Sequence, residues 1–367
     1  MGFISRIKLN TFRNYPGLEL DLEPGISVFR GRNGQGKTAF LEALGFLSLL
    51  RSIRSSNTRH LKNWQSDFFA INARLNRMTR PELNMSIYYG EKRQLSLDGN
   101  RIAAASDFIG YVKSVAFMPE DIEIVKGSAS WRRQYLDILL SQMYPSYLQS
   151  LKHYQKALKS RNQVLKKGMN LDLELHVWDD ILIQHGCEVL EQRLALLPRL
   201  SEAIGELEAR MLKEDFDLSI RYNNSLNKPN LNLRDAYRER LQENRERDIL
   251  YKMTHVGPHR DDLILNLNGR SLSNYGSEGQ CRLSSLILKA AAVELLLPVE
   301  KPDCLILLID DVLGELDEYS RRAFLKCVSR GDQVFIACTD VPAGLEDYDY
   351  RLFEVDQGTV NRLIDNE

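Results

Sequence analysis

The fold is decided by Gly31-Arg32-Asn33-Gly34-Gln35-Gly36-Lys37-Thr38, which matches the pattern G-x-x-x-x-G-K-T of a phosphate-binding loop. A β-rich run precedes it at residues 25–30, and a helical pattern follows it at residues 39–44. The glycines allow the backbone to curl, so that successive N–H groups and the start of the helix converge on phosphate oxygens. Lys37 would add a positive charge, and Thr38 a hydroxyl for Mg²⁺. The stretch predicts binding of ATP with Mg²⁺, and a chance glycine turn is the alternative.

A second element lies near the other end of the sequence, where the apolar run 305–309 ends in Asp310 and Asp311. Such a run is typical of a buried parallel strand, and ligands bind at the carboxyl ends of these strands. We assign Asp310 to the Mg²⁺ shell and Asp311 to orienting or deprotonating the attacking water. Two carboxylates this close repel each other, so a cation is needed beside them. The alternative is an ordinary buried strand with a polar end.

A third element is a polar segment, residues 275–280, that precedes a helical pattern from Cys281 to Leu297. A serine and a bare backbone at the start of a helix can bind an anion, although an ordinary capped helix has the same appearance. The segment stands about one helix length before the Asp-Asp strand, and Gly314-Glu315-Leu316-Asp317 follows that strand.

The order and spacing of these elements resemble those of the ATP-binding-cassette ATPases of the SMC and Rad50 type. Within them, the chain is similar to the RecF family of bacterial DNA replication and repair proteins. The resemblance runs over nearly the whole chain and rests on Phe12-Arg13-Asn14-Tyr15, the phosphate loop, Met118-Pro119-Glu120-Asp121, Trp131-Arg132-Arg133, Gly257-Pro258-His259-Arg260-Asp261-Asp262, Ser277-Glu278-Gly279-Gln280 and Asp310-Asp311.

The resemblance implies an α/β fold, in which a compact helical arm is inserted into an ABC-type ATPase head of mixed sheets around a phosphate-loop core. It implies that Ser277, Glu278, Gly279 and Gln280 form a signature motif that contacts ATP bound by a second subunit. Asp317 would belong to the loop that crosses the dimer interface. ATP would then join two heads as a homodimer, and weak hydrolysis would act as a switch.

Two segments depart from the pattern of transporter-type cassettes. Those proteins carry a glutamine where this chain has Pro119-Glu120-Asp121, and a switch histidine where it has Ala337-Cys338-Thr339-Asp340.

The function implied by the resemblance is ATP-dependent binding to DNA, single-stranded or gapped duplex, at replication gaps. It includes support of recombinase loading and of the SOS response, with RecR and RecO as partners. Two other classes stay open, a small-molecule kinase and a transporter-type ATPase. A kinase has no use for the signature segment, and a transporter ATPase would need a membrane partner.

Composition and organisation limit the alternatives. The chain has 367 residues, 43% of them hydrophobic, which is enough for two domains. We predict that residues 1–125 and 255–367 form the head and 126–254 the arm, whose helical periodicity is interrupted at Gly168, Pro198 and Pro229. No apolar run is long enough to span a bilayer, and the five cysteines and six histidines lack metal-ligand spacing. We therefore expect a cytoplasmic protein without a membrane or zinc partner.

The formal net charge is -1, so DNA affinity must come from local clusters. No acidic residue lies between Asp137 and Asp172, and helical spacing places Lys152, Lys156, Lys159 and Lys166 on one face. This face could be merely solvated, could contact phosphates, or could bind an acidic protein.

A second basic cluster follows the phosphate-loop helix at Arg51, Arg54, Arg59, His60 and Lys62. Arg51 and Arg54 match an arginine pair of the RecF pattern, where ATP sensing and DNA contact are both open, beside a plain surface role. The segment 257–262 is interpreted as a hinge or interface element, in which the histidine fixes a turn or acts as a general base.

Overall fold

The computed structural model describes residues 2–54, 58–77, 81–168, 171–212, 216–226, 231–297 and 304–366. The strands among them are β1 (Phe3–Phe12), β2 (Tyr15–Asp21), β3 (Gly25–Arg30), β4 (Phe69–Asn76), β5 (Leu83–Tyr89), β6 (Arg93–Leu97), β7 (Asn100–Ile102), β8 (Val112–Phe117), β9 (Leu218–Asn223), β10 (Asp262–Leu267), β11 (Arg270–Ser271), β12 (Cys304–Asp310), β13 (Gln333–Cys338), β14 (Tyr350–Asp356) and β15 (Thr359–Asn366). The helices are α1 (Lys37–Leu49), α2 (Glu123–Lys126), α3 (Ala129–Met143), α4 (Pro145–Lys167), α5 (Leu171–Met211), α6 (Leu233–Glu243), α7 (Arg245–Tyr251), α8 (Leu272–Tyr275), α9 (Glu278–Leu296) and α10 (Glu318–Val328).

The chain divides into two compact units. The first comprises residues 1–121, 206–214 and 282–367, and the second comprises 122–205 and 215–281. Residues 255–281 fall in the second unit and 206–214 in the first, whereas the boundaries drawn from the sequence placed both segments the other way round. The division into a head and an arm stays a prediction.

The first unit contains two six-stranded sheets that share a core with α1. One sheet is antiparallel, in the order β2-β1-β4-β5-β6-β7, and its strands β1, β4 and β5 alternate buried and less buried residues, as expected for one covered face. The other has the order β15-β14-β3-β13-β12-β8 and is parallel from β14 to β8. All seven residues of β12 are buried, which explains its continuous apolar run. The predicted α/β class with mixed sheets is confirmed.

The register of the parallel sheet brings the functional segments to one edge. Strand β13 lies between β3 and β12, with Cys338 opposite Arg30 and Ala337 opposite Asp310. The phosphate loop leaves the carboxyl end of β3, and Asp311 leaves the carboxyl end of β12. The edge at which parallel strands bind ligands therefore carries both predicted elements.

The second unit is built from helices and a three-stranded sheet in the order β11-β10-β9. The stretch predicted as a helical arm, residues 126–254, also contains the strand β9, which pairs antiparallel with β10 over six residues. The strand was missed because its partner lies about forty residues away, so that no local pattern announces the pairing. Tyr154, Tyr237 and Leu182 are among the residues that form the core of this unit.

Two expected breaks in the helices have different outcomes. Helix α5 continues through Pro198, so the expected interruption is wrong there. Proline removes one hydrogen bond of a helix, but the buried residues Leu196 and Leu200 on either side are held by packing. Gly168 has φ 72° and ends α4, as a left-handed glycine commonly does. Pro229 lies outside the described residues.

Among the described segments, no helix combines the length and the apolar character that crossing a membrane requires.

Candidate functional site

Two glycines of the phosphate loop stand where a side chain has no room. Gly36 has φ 122°, and a Cβ there would lie 2.6 Å from Asn14 Nδ2. A Cβ on Gly31 would lie 2.3 Å from the carbonyl oxygen of Val355, which is far inside contact distance. The glycine spacing of the sequence motif is therefore required by the neighbouring backbone as well as by any phosphate.

The turn between β1 and β2 supports the loop from outside. Asn14 Nδ2 donates to the carbonyl of Gln35 at 3.0 Å, and the hydroxyl of Tyr15 donates to the carbonyl of Gly36 at 3.0 Å. Burial raises the pKa of Tyr15 far above its ordinary value, so this hydroxyl stays a donor. Both contacts turn loop carbonyls outward, which leaves the loop N–H groups for a ligand.

A second support comes from the turn between β14 and β15, more than 300 residues away in sequence. The backbone N–H of Gln357 donates to Gln35 Oε1 at 2.7 Å, and that of Gly358 donates to the carbonyl of Gln35 at 3.0 Å. Sequence reasoning missed both turns as parts of the site, because backbone donors leave no signature in residue type.

The hydroxyl of the loop points toward the end of β12, whereas the lysine bonds back to the loop itself. Thr38 Oγ1 donates to Asp310 Oδ2 at 2.8 Å, while Lys37 Nζ donates to the carbonyls of Gly31 at 2.6 Å and Arg32 at 3.0 Å. Asp310 is buried, and burial raises its pKa although the hydrogen bond from Thr38 opposes this. A hydroxyl and a desolvated carboxylate within one hydrogen bond suit the oxygen preference of Mg²⁺.

Asp311 differs from Asp310 in exposure and in backbone. It is exposed, and its φ of 52° lies in the left-handed region, which costs a non-glycine residue free energy. Its N–H donates to the carbonyl of Ala337 at 3.0 Å, which holds this conformation against β13. A cavity of about 230 Å³ opens beside it, and Thr339 and Asp340 also line this cavity. The strained backbone thus directs a carboxylate toward open space at the sheet edge.

Arg54 and Glu120 join the same edge. Arg54 Nε lies 3.5 Å from Glu120 Oε1, and both charges act on the pKa of Asp310, the arginine lowering it and the glutamate raising it. The structure therefore places Arg54 close to Asp310, and its role in ATP sensing, in DNA contact or at a plain surface stays a prediction. Glu120 was singled out only as a departure from other cassettes. Arg51 is partly buried just before this segment.

Behind this edge, Asp121 connects the segment after β8 to helix α9. Lys289 Nζ lies 2.9 Å from Asp121 Oδ1 and donates to the carbonyl of Ala116 at 2.9 Å, while Asp121 Oδ2 accepts from Met118 N. Burial raises the pKa of Asp121, and the ammonium of Lys289 opposes this rise. The pair fixes one end of a segment whose glutamate faces the nucleotide site.

The predicted signature segment forms a reciprocal cap at the start of α9. Ser277 N donates to Gln280 Oε1 at 2.9 Å, and Gln280 N donates to Ser277 Oγ at 3.2 Å, which is a capping box. Ser277, Glu278, Gly279 and Gln280 are all exposed. The segment lies in the second unit, while the phosphate loop lies in the first. Capping and an exposed anion site are compatible, because the cap uses only one backbone donor of the first turn.

Asp317 caps another helix, α10. Its carboxylate accepts from Ser320 N at 3.0 Å and from Ser320 Oγ at 2.9 Å. The preceding residues 311–316 carry the chain from β12 to this cap. The structure therefore gives Asp317 a local structural contact in addition to its predicted interface role.

The comparisons with known proteins show the family of the chain. The profile of an AAA domain matches residues 6–252. Over the full length of both chains, the sequence is 37% identical to the DNA replication and repair protein RecF of Bacillus cereus. The chain belongs to the RecF family. It is also 36% identical to RecF of Lachnoclostridium phytofermentans, across 98% of this chain and 99% of that protein.

Solved structures give the same assignment. The structure of the recombination mediator protein RecF-ATP in the RecFOR pathway matches with a TM-score of 0.90 at 29% identity, covering 99% of this chain and 98% of that one. The Smc head domain of Pyrococcus furiosus, solved with an extended coiled coil bound to the C-terminal domain of ScpA, matches with a TM-score of 0.56 at 14% identity, covering 99% of this chain and 96% of that one. The second likeness shows the fold alone, that of an ABC-type ATPase head.

Within this RecF-family chain, the predicted lysine face is where helical spacing placed it. Lys152, Lys156 and Lys159 are exposed along α4, and Tyr147 and Tyr154 on the other side of the helix are buried. The acid-free stretch nevertheless contains one cation that is withdrawn from solvent, Arg161, which is fully buried. The exposed lysines stay candidates for phosphate contact.

The motif at residues 257–262 is internal to the second unit. Asp262 forms a bidentate pair with Arg132, at 2.7 and 2.9 Å, and Asp261 accepts from the N–H of Ser225 and the hydroxyl of Tyr222. These contacts join β10 to α3 and β9. The motif therefore holds several elements of the second unit together.

The histidine of this motif is fixed in one tautomer. His259 Nε2 faces the carbonyl of Thr254 at 3.1 Å and must donate, so Nδ1 accepts from the hydroxyl of Tyr154 at 2.6 Å. Burial lowers the pKa of His259 to about 4. The geometry favours the turn-fixing interpretation over the general base.

Within the described residues, no group of three or more histidine, cysteine, aspartate or glutamate side chains is placed to hold a metal ion. All five cysteines are free thiols and buried.

Proposed function

We propose that this chain binds ATP with Mg²⁺ and that ATP joins two copies into a dimer that binds DNA during recombinational repair. The observation that carries the proposal is the pair of Thr38 and Asp310. The hydroxyl of Thr38 in the phosphate loop lies 2.8 Å from the buried carboxylate of Asp310 at the end of β12. That pair needs a cation, and a phosphate-bound Mg²⁺ is the cation such loops bind.

The residues divide the work at the sheet edge. Lys37 would exchange its loop carbonyls for phosphate oxygens, and Thr38 and Asp310 would hold the metal ion. Bound Mg²⁺ would neutralise charge on the β- and γ-phosphates during transfer to water. Asp311, exposed beside the cavity, would orient or deprotonate that water. Glu120 would act on Asp310 through its charge, balanced by Arg54.

The exposed signature segment supports a two-subunit site. Residues 277–280 present a helix start to solvent, which suits a phosphate group brought by another copy. The exposed Asp317 lies seven residues after the end of β12 and would lie in the interface. Each ATP would then contact both copies, so that its binding energy favours the dimer.

The DNA and protein partners come from the family relationship. The relatives are named DNA replication and repair proteins, and the matched structures are described within the RecFOR pathway. We propose DNA with single-stranded or gapped regions as the ligand, RecR and RecO as protein partners, and the cytoplasm as the location. In this scheme the dimer supports recombinase loading and the SOS response at replication gaps.

The test is sedimentation velocity of the full chain with Mg²⁺ and with ATP, with ADP, or without nucleotide. We expect a dimer only with ATP. Ser277→Arg should bind ATP and stay monomeric, whereas Ser273→Arg, at another exposed serine nearby, should dimerise normally. An unchanged sedimentation coefficient at saturating ATP would refute the two-subunit site.

A further inference from the structure

One tryptophan of the first unit has almost its whole surface open to solvent. Trp64 is 99% exposed, although side chains of this size are normally covered at least in part. It lies between α1 and β4, ten residues after Arg54, and it makes no contact that the nucleotide site described above uses. We therefore ask which ligand or partner this exposed side chain contacts.

The exposure belongs to a well-defined turn. The carbonyl of Asn63 accepts from Ser66 N at 3.1 Å, and Asn63 Oδ1 accepts from Gln65 N at 3.1 Å, so the turn closes around Trp64. Asn63 N donates in addition to the carbonyl of Thr11 at 2.8 Å. The turn holds the indole away from the body of the unit.

Aromatic and basic groups accompany this turn. Phe68 and Tyr88, each a little over one third exposed, stack with ring centroids 5.4 Å apart, and Lys62 Nζ lies 5.9 Å from the ring centroid of Tyr89. Arg59 is exposed as well. Between Glu42 and Glu82 the sequence contains a single acidic residue, Asp67, against the basic residues Arg51, Arg54, Arg59, Lys62, Arg74, Arg77 and Arg80.

We propose that Trp64 stacks on a base of single-stranded DNA while Arg59 and Lys62 contact its phosphates. The proposal rests on the DNA-binding function proposed above and specifies a strand class and a site for it. Aromatic faces stack on any base, and neighbouring cations follow the backbone. In a duplex the bases already stack on each other, so that insertion of an indole must first separate two of them.

The chemistry around the indole favours DNA over a protein partner. A large exposed apolar patch would mark a hydrophobic protein interface, whereas the residues beside Trp64 in the turn are Asn63, Gln65 and Ser66. The excess of positive charge in the segment complements a phosphate backbone.

The turn is also connected to the phosphate-loop helix. Arg13 N donates to the carbonyl of Leu61 at 2.7 Å, and the carbonyl of Arg13 accepts from Asn63 Nδ2 at 2.8 Å. The guanidinium of Arg13 forms a bidentate pair with the buried carboxylate of Glu42 on α1, at 2.7 and 3.0 Å. The stacking site is thereby carried by the body that carries the nucleotide site.

The test compares the full chain with Trp64→Ala and Trp64→Phe, with ATP and Mg²⁺, on an oligothymidylate of about 20 nucleotides, longer than common site sizes. We expect Trp64→Ala to bind it about tenfold more weakly, as loss of one stacked base predicts. The slope of log K against log salt should not change, because no charge is removed. Trp64→Phe should keep most of the affinity, and its fluorescence quenching on binding should be smaller than that of the wild type.

Three controls make the outcome specific. Tyr251→Ala removes an exposed aromatic side chain of α7 and should bind like the wild type. Arg59→Gln with Lys62→Gln should lower the magnitude of the salt slope by about 1.4, since each phosphate contact to a single strand contributes about 0.7. A duplex of the same length should show little effect of Trp64→Ala. Equal affinity of wild type and Trp64→Ala for oligothymidylate overturns the proposal, as does an equal loss in Tyr251→Ala. If the wild type binds neither DNA, the proposed function fails instead.

Discussion

Two buried charges, one in each unit of the chain, have opposite surroundings. In the first, Asp310 is buried beside the neutral hydroxyl of Thr38. In the second, Arg161 is fully buried and pairs with Asp179 at 2.6 Å and Asp248 at 2.7 Å. A buried carboxylate with a neutral partner still needs a cation, whereas a buried arginine between carboxylates is already neutralised. The first arrangement is a binding site, and the second is a scaffold.

The same contrast separates two motifs that look equally functional in the sequence. The phosphate loop directs backbone donors and a lysine to an open sheet edge. In the motif at residues 257–262, the histidine and the two aspartates all form contacts inside their own unit. A motif rich in polar residues therefore indicates chemistry only where the fold leaves its groups available to a ligand.

The largest expected effect concerns the chemistry of the first unit. Asp311→Asn should keep ATP binding but slow hydrolysis by at least about 100-fold, because the amide cannot accept a proton from water. The ATP dimer should then persist. Steady-state hydrolysis and sedimentation with ATP provide the measurement.

Asp340→Asn is the matched control, since this exposed aspartate lines the same cavity. If hydrolysis slows equally in both variants, the effect comes from the negative charge around the cavity and not from Asp311 in particular. Hydrolysis at the wild-type rate in Asp311→Asn would mean that another group orients the water.

The next effect tests the scaffold of the second unit. Arg161→Met should lower the free energy of unfolding by about 3–5 kcal/mol, because it takes the arginine away from the fully buried carboxylate of Asp248 and from the partly buried one of Asp179. Arg238→Met removes an exposed pair with Asp235 and should cost less than about 1 kcal/mol. Urea unfolding measures both. A loss in Arg161→Met no larger than in the control would contradict the contrast drawn above.

A smaller effect should appear in the pH dependence of stability. The pKa of His259 is about 4 in the fold, against about 6.5 in an unfolded chain, so the unfolded state takes up a proton first as the pH falls. Stability is therefore unaffected above about pH 6.5 and decreases from there toward pH 4, by at most about 3 kcal/mol.

His259→Gln can still donate to Thr254 and accept from Tyr154, but it does not titrate. Its stability should therefore decrease less than that of the wild type over this range, as measured by urea unfolding at several pH values. His176→Gln, at an exposed histidine of α5, should follow the wild type. If the free energy of unfolding depends on pH in the same way for wild type and His259→Gln, His259 does not titrate as predicted.

The sequence was sufficient where chemistry is local. The phosphate loop, the strand that ends in Asp310 and the lysine face of α4 each lie within one stretch, and periodicity or spacing predicts their structure. The supports of the loop could not be predicted, because Gln357 N reaches Gln35 across 322 positions and donates through its backbone. Strand β9 was missed for a related reason, since pairing with a distant strand decides its structure.

The smallest expected effect asks whether the second unit is only a scaffold. Replacing Lys152, Lys156 and Lys159 by Glu should weaken DNA binding and flatten its salt dependence, by nearly one in slope for each phosphate that the variant no longer neutralises. ATP hydrolysis without DNA should barely change, since these exposed side chains lie in the unit without the phosphate loop. Affinity at several salt concentrations provides the measurement, and Arg238, Arg240 and Arg247 changed to Glu give a control of equal charge. An unchanged slope in the lysine variant would make this face merely solvated and leave DNA binding to the basic segment around Trp64.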